Sequence, residues 1–165
     1  MKVRFLILRG APGVGKSTVA HGVRMLFPKG SCIEIDSLRM MLNANVWGNA
    51  PQHLEAIRTA AFLGVRHVSQ GIQPVIFVDA FVSGYLETLT EHLNREDIRI
   101  HSLIASDDVL KSRILNRPDH PFKDWRRSIE INRHIAEHPV EGDRVIDTSA
   151  LDVPSIIKAI VKGEP

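Results

Sequence analysis

One cysteine, Cys32, is all that the 165-residue chain contains, so no internal disulfide can staple it. A lone thiol fits a reducing compartment, and the expected location is the cytoplasm. No apolar run approaches the roughly 20 residues of a membrane-spanning helix, so no membrane partner is expected. The opening "MKVRFLILRG" has an apolar core too short for a signal peptide and runs straight into a glycine-rich loop. It reads as a strand. Internal repeats, low-complexity tracts and linker-like stretches are all lacking, which excludes solenoids and bead-like arrays. Charge of one sign is lacking too: the formal net charge is only +2, too mild to argue for nucleic acid by itself.

What remains is an ordinary globular composition, 44% hydrophobic. At this length about 70% of the unfolded surface can be buried without staples, so one domain over residues 1–165 is expected. Strands are predicted at Val3–Leu8, Ser31–Ile35, Gln73–Val78, Ile98–Ile104 and Arg144–Ile146, four of the five being short apolar runs bounded by Gly, Pro, Asp or Ser. Between them, three- and four-residue apolar spacing predicts helices over 16–27, 52–69, 83–93, 107–116, 124–138 and 152–162. Such alternation implies an α/β fold, a parallel sheet covered on both faces, with ligands beyond the carboxyl ends of the strands.

The most specific signal is "GAPGVGKST". Gly10, Gly15, Lys16 and Ser17 satisfy G-x-x-x-x-G-K-[ST] directly after a predicted strand and at the start of a predicted helix. Gly10, Gly13 and Gly15 let the backbone turn so that successive N–H groups cradle phosphate oxygens. Lys16 brings a point charge to the outer phosphates, and the Ser17 hydroxyl is placed for Mg²⁺. The new helix adds its positive end. The nucleotide-binding loop therefore comprises Gly10, Ala11, Pro12, Gly13, Val14, Gly15, Lys16, Ser17 and Thr18, and its expected ligand is a nucleoside triphosphate with magnesium. Guanine is not expected: no aspartate is followed by glycine three residues later, and "NRPD" at 116–119 has Arg where guanine readers carry Lys.

Beyond the loop come "DSLR" from Asp36, "VIFVDAF" ending in Asp79-Ala80-Phe81, "RILNR" from Arg113 to Arg117, and "VIDTS" through Thr148. In this order the motifs resemble the P-loop kinases of small acceptors, nearest in pattern to bacteriophage-type polynucleotide kinase and chloramphenicol phosphotransferase. The resemblance spans residue 3 to about 162. It implies a three-layer P-loop NTPase fold with a five-stranded parallel sheet in order 2-3-1-4-5 and a short lid at about 117–126.

The same resemblance implies site roles. Asp36 is the general base for the acceptor hydroxyl, and Arg39 orients acceptor or base; the other reading of Asp36 is a cap on the following helix. Asp79 is a magnesium-shell or acceptor-site carboxylate. Where the family pattern has D-A-T-N this chain reads "DAFVS", and Ser83 suits the helix cap better than Asp79 does. Arg113 and Arg117 lie over the adenine and the transferring phosphate, with Arg126 or Arg127 as alternative phosphate contacts, and Thr148 lies near the adenine. Between Lys111 and Arg127 six basic residues face Asp119 and Asp124, a local +4 that marks an anion-visited segment.

Other residues carry weaker signals. His134 and His138, four apart on a helix, lack a third metal ligand at sensible spacing. Cys32 reads as a small core residue. Trp47 and Trp125 are candidates for stacking on a ring, and Arg9 has no assignable role. The expected activity is ATP- and Mg²⁺-dependent transfer of the γ-phosphate to a hydroxyl of a small molecule or a nucleic-acid 5′ end. The alternative is a nucleotide-binding ATPase or regulatory module without an acceptor.

Overall fold

The computed structural model describes residues 3–41, 48–82, 84–118 and 122–162, the Glu96 side chain excepted. Five strands, β1 (Phe5–Gly10), β2 (Ser31–Glu34), β3 (Val75–Asp79), β4 (Ile98–Ile104) and β5 (Asp143–Asp147), form one sheet in the order β2-β3-β1-β4-β5. Every pairing is parallel. The helices are α1 (Lys16–Met25), α2 (Ile35–Met40), α3 (Ala50–Ser69), α4 (Tyr85–Thr90), α5 (Asp107–Leu115), α6 (Trp125–Glu137) and α7 (Val153–Lys162). This is the expected α/β architecture and strand order.

Strand pleating divides the core in two. Phe5, Ile7, Val75 and Phe77 face α3 and α4, where Ile57, Ala60, Ala61, Leu86 and Leu89 bury against them. Leu6, Leu8, Ile76 and Val78 face the other layer and meet Val19, Ala20 and Val23 of α1 and Ile156 and Ile160 of α7. Gly64 brings α3 close to the sheet, because a Cβ there would stand 2.4 Å from Phe77 Cζ.

Element ends differ from the sequence reading for local reasons. β1 starts and ends two residues later than expected, pairing Arg9 with Asp79 and Gly10 with Leu103, so the strand runs to the edge of the loop. α3 begins earlier because the Asn49 side chain accepts a hydrogen bond from Gln52 N at 3.1 Å and Pro51 is tolerated in the first turn. Ile35, expected at the end of β2, instead opens α2, and its side chain is fully buried. The helix expected over 83–93 shortens to α4 plus a 3₁₀ turn at Arg95–Asp97; Gly84, at φ 79°, precedes α4, while Ser83 lies outside the described residues. The lid expectation falls partly outside them as well, at 119–121, as does Trp47.

Candidate functional site

The loop between β1 and α1 curls over the carboxyl end of the central strand. Gly15 adopts φ 98° as it turns into α1, a conformation costly for any residue with a Cβ. Gly10 lies so close to β4 that a Cβ would come within 2.6 Å of the Leu103 carbonyl oxygen. Within this loop Lys16 Nζ donates to the carbonyls of Gly10 at 2.7 Å and Ala11 at 3.0 Å. Burial pulls the Lys16 ammonium down to about 8, and the negative charges of Asp79, Asp36 and Glu34 only partly offset that. A desolvated cation at the head of a helix is a fit for an anion of high charge.

A carboxylate that sequence spacing did not reveal stands beside Ser17: the hydroxyl donates to Glu34 Oε2 at 2.9 Å. Glu34 closes β2, and His21 Nε2 of α1 lies 3.3 Å from its other oxygen. Among the described residues no group of three His, Cys, Asp or Glu is placed to hold a metal unaided. A hydroxyl with an adjacent carboxylate nonetheless fits Mg²⁺, which takes one or two protein ligands and completes its shell with phosphate oxygens and water.

Opposite the loop, α2 projects Asp36 in its first turn, so Asp36 does not cap the helix; the residue at the cap is Glu34, whose side chain makes no capping bond. Arg39 Nη1, one turn on and buried, lies 3.6 Å from Asp36 Oδ1. Burial first, then the charge of Asp79, raises the Asp36 carboxyl above the ordinary carboxylate range. A carboxylate so placed is a stronger base than one in water. Asp79, at the end of β3, receives His53 of α3: Nε2 to Oδ2 is 2.8 Å. Phe81, two residues on, takes φ 47°, strained for a non-glycine residue, and buries its ring in the α3–α4 core. The turn after β3 thus spends the position where the family pattern has a polar residue on packing.

On the other flank a cavity of about 320 Å³ is lined by Gly13, Gly15, Thr18, Arg113, Arg117 and Val153, among others. Arg113 is clamped to the loop after β5, its Nη1 donating to Thr148 Oγ1 at 3.0 Å and its Nη2 to Thr148 O at 2.8 Å. Thr148 is fully buried, and its hydroxyl lies within hydrogen-bond distance of Ile104 O and Val14 O, which ties this wall to the phosphate loop. Arg117 reaches Lys16 with its charge. The rest of the basic run is otherwise engaged: Lys111 and Arg126 flank the Trp125 ring at 4.8 and 4.5 Å, and Arg127 pairs with Glu130 at 2.9 Å. Among its described residues the segment therefore does not present a continuous phosphate-tracking stripe.

The weaker signals resolve as well. The His134 and His138 rings stack at 4.4 Å. Burial pushes the Cys32 thiol up to about 12, leaving it inert against the α1–α7 core. Arg9 is buried and paired with Asp143 at 3.4 Å, while Ser102 N donates to the same carboxylate at 2.9 Å. It ties β1 to β5 across β4. No helix among the described residues is long and apolar enough to cross a membrane.

No family model and no curated protein matches the sequence. Solved structures do match. A sugar kinase from Janibacter sp., in unliganded form, superposes with a TM-score of 0.76 at 19% identity, covering 97% of this chain and 93% of that one. A tunicamycin resistance protein from Deinococcus radiodurans gives 0.72 at 16% identity, with 98% and 95% covered. A gluconokinase from Sinorhizobium meliloti gives 0.67 at 20%, with 98% and 91% covered. The chain has the P-loop kinase-like fold that these proteins share.

Proposed function

We propose that the protein transfers the γ-phosphate of ATP to the hydroxyl of a small acceptor. The observation that carries this reading is Asp36. Its carboxyl, raised by burial and by Asp79, lies within the electrostatic reach of Lys16, which itself sits in the phosphate loop. A base facing a phosphate cradle is what transfer to an alcohol requires. In this reading the acceptor oxygen attacks the γ-phosphorus, its proton passes to Asp36, and ADP leaves. Arg39 holds Asp36 in place. Lys16 and Arg117 neutralise charge on the transferring group, and Arg113 with Thr148 forms the wall for the adenine. Ser17, with Glu34 beside it, is the proposed place for Mg²⁺, and Asp79, held by His53, is proposed for the magnesium shell or the acceptor side. When bound, the cation neutralises the β- and γ-oxygens.

The alternative is a module that hydrolyses ATP without an acceptor. Incubation with Mg-ATP and pooled alcohols separates them. ADP release that rises with a particular acceptor supports transfer, and ADP release indifferent to every pool supports hydrolysis.

A further inference from the structure

Helix α6 buries Ser128, Asn132 and Ile135, and two of these three are polar. Their spacing of four and three residues sets them on one face, turned toward the end of β4 and the back of the phosphate loop. A face that packs against protein is ordinarily apolar, so a polar side chain there needs a partner. Asn132 has two bonds to one backbone unit: its Oδ1 accepts from Ala105 N at 3.1 Å, and its Nδ2 donates to Ala105 O at 2.8 Å. One turn earlier, Ser128 Oγ donates to the carbonyl oxygen of Pro12 at 2.5 Å, across 116 residues of chain. Asn132 fixes the helix, and Ser128 reaches the loop from a fixed base.

Pro12 is where the loop has a choice of conformation. Val14 N donates to Ala11 O at 3.4 Å, which closes a turn with Pro12 second and Gly13 third. Gly13 takes φ 90°, as in a type II turn; a type I turn needs a negative φ there. The two turns differ by a reversal of the Pro12–Gly13 peptide plane. Proline is accepted in the second place of either, and glycine takes φ of either sign, so neither residue makes the choice. The carbonyl and the N–H of one trans peptide point in opposite directions. With Pro12 O held against α6, Gly13 N–H points away from that helix. It has no hydrogen-bond partner among the described residues, and Gly13 lines the cavity of about 320 Å³ beside the loop.

We infer that Ser128 is a positioning residue for the nucleotide: its hydrogen bond selects the peptide orientation in which Gly13 N–H faces the phosphates. This role rests on the nucleotide side of the kinase reading and deepens it. Without the hydroxyl, Pro12 O loses its donor and the reversed peptide becomes accessible. A phosphate oxygen would then meet a carbonyl where it had met an N–H. Ser128 acts through the loop, at one remove from the ligand.

The test measures binding of a non-hydrolysable ATP analogue with Mg²⁺ to the full chain by calorimetry. Ser128→Ala should weaken that binding about tenfold, the size of one lost charge-assisted hydrogen bond. The KM of the alcohol that raises ADP release most should stay within twofold. Ser128→Thr, which keeps the donor, should recover part of the loss. A Ser128→Ala protein that binds the analogue as wild type does, whatever its melting temperature, makes the hydroxyl a packing group and overturns the inference. Equal rises in KM for ATP and alcohol overturn it as well. Magnetic resonance of wild type labelled with ¹⁵N-glycine needs no variant to fold: the Gly13 amide should shift when the analogue is added, and an unmoved Gly13 amide overturns the inference. Binding needs no acceptor, so weakened affinity in Ser128→Ala supports the role of Ser128 even where no alcohol is phosphorylated, the outcome that overturns the kinase reading. A wild type that does not bind the analogue overturns both.

Discussion

Ser17 of the phosphate loop donates its hydroxyl hydrogen to Glu34 at the end of β2, 2.9 Å away. The contact joins the residue expected to meet Mg²⁺ with a carboxylate from a different strand. Glu34→Gln keeps the acceptor oxygen for Ser17 and removes the charge. Supporting groups of this kind are worth about 10- to 100-fold in metal affinity, so the Mg²⁺ concentration for half-maximal turnover should rise about tenfold. A magnesium titration of both proteins at saturating ATP checks it; coincident curves would place Glu34 outside the metal's influence.

Lys16→Ala removes the only ammonium in the loop. ATP affinity or turnover should fall about tenfold or more, because charge neutralisation on the outer phosphates is the main catalytic device in phosphoryl transfer. Calorimetry with ATP and steady-state kinetics give the two numbers, and both within twofold of wild type would remove the loop from nucleotide binding.

Arg113, in the last turn of α5, and Arg117, two residues beyond its end, should separate kinetically. Arg113 is fixed to Thr148 on the cavity wall, whereas Arg117 lies close enough to Lys16 to oppose its charge. Arg113→Ala should weaken ATP binding by roughly tenfold, the size of a lost charge-assisted hydrogen bond. Arg117→Ala should lower kcat by roughly 10³-fold with little change in ATP affinity. Identical patterns in the two variants would refute the division of roles.

A stability prediction comes from His101, buried in β4 with neither ring nitrogen partnered among the described residues. Burial, with the nearby Arg144, pulls its pKa down to about 4. The folded state then holds the ring neutral while the unfolded chain binds a proton below about 6.5. Between those values the unfolded state binds more protons, so stability falls as pH drops from about 6.5 towards 4, by at most about 3 kcal/mol. His101→Leu should flatten that slope and gain about 1 kcal/mol at neutral pH by removing two orphaned polar atoms. Urea unfolding at pH 7.5 and 5 measures both, and parallel pH slopes in the two proteins would rule the histidine out as their source.

What was legible in the chain depended on how far apart the interacting residues lie. Gly10 to Ser17 act as one contiguous loop, so their pattern is visible without a structure. The strands β1 and β3 announce themselves as apolar runs because both faces are covered. The strand order came from the resemblance of ordered motifs, since periodicity carries no lateral information. α2 shows no periodic pattern of its own because its six residues are too few and because Ile35, which opens it, prolongs an apolar run. Glu34 and His53 were missed for another reason: they meet Ser17 and Asp79 from 17 and 26 residues away, across layers that no local spacing records. Arg9 likewise finds Asp143 only once β1 and β5 are set two strands apart.

The central claim is that the γ-phosphate goes to an alcohol under the control of Asp36. Its most direct test follows the label from γ-³²P-ATP in wild type and Asp36→Asn, each with the alcohol that raises ADP release most. In the wild type the label should appear on the acceptor, with ADP release dependent on it. Asp36→Asn should bind ATP normally and transfer about 10²–10⁴-fold more slowly. Label recovered only as inorganic phosphate, at a rate no acceptor alters and Asp36→Asn does not change, would contradict the account.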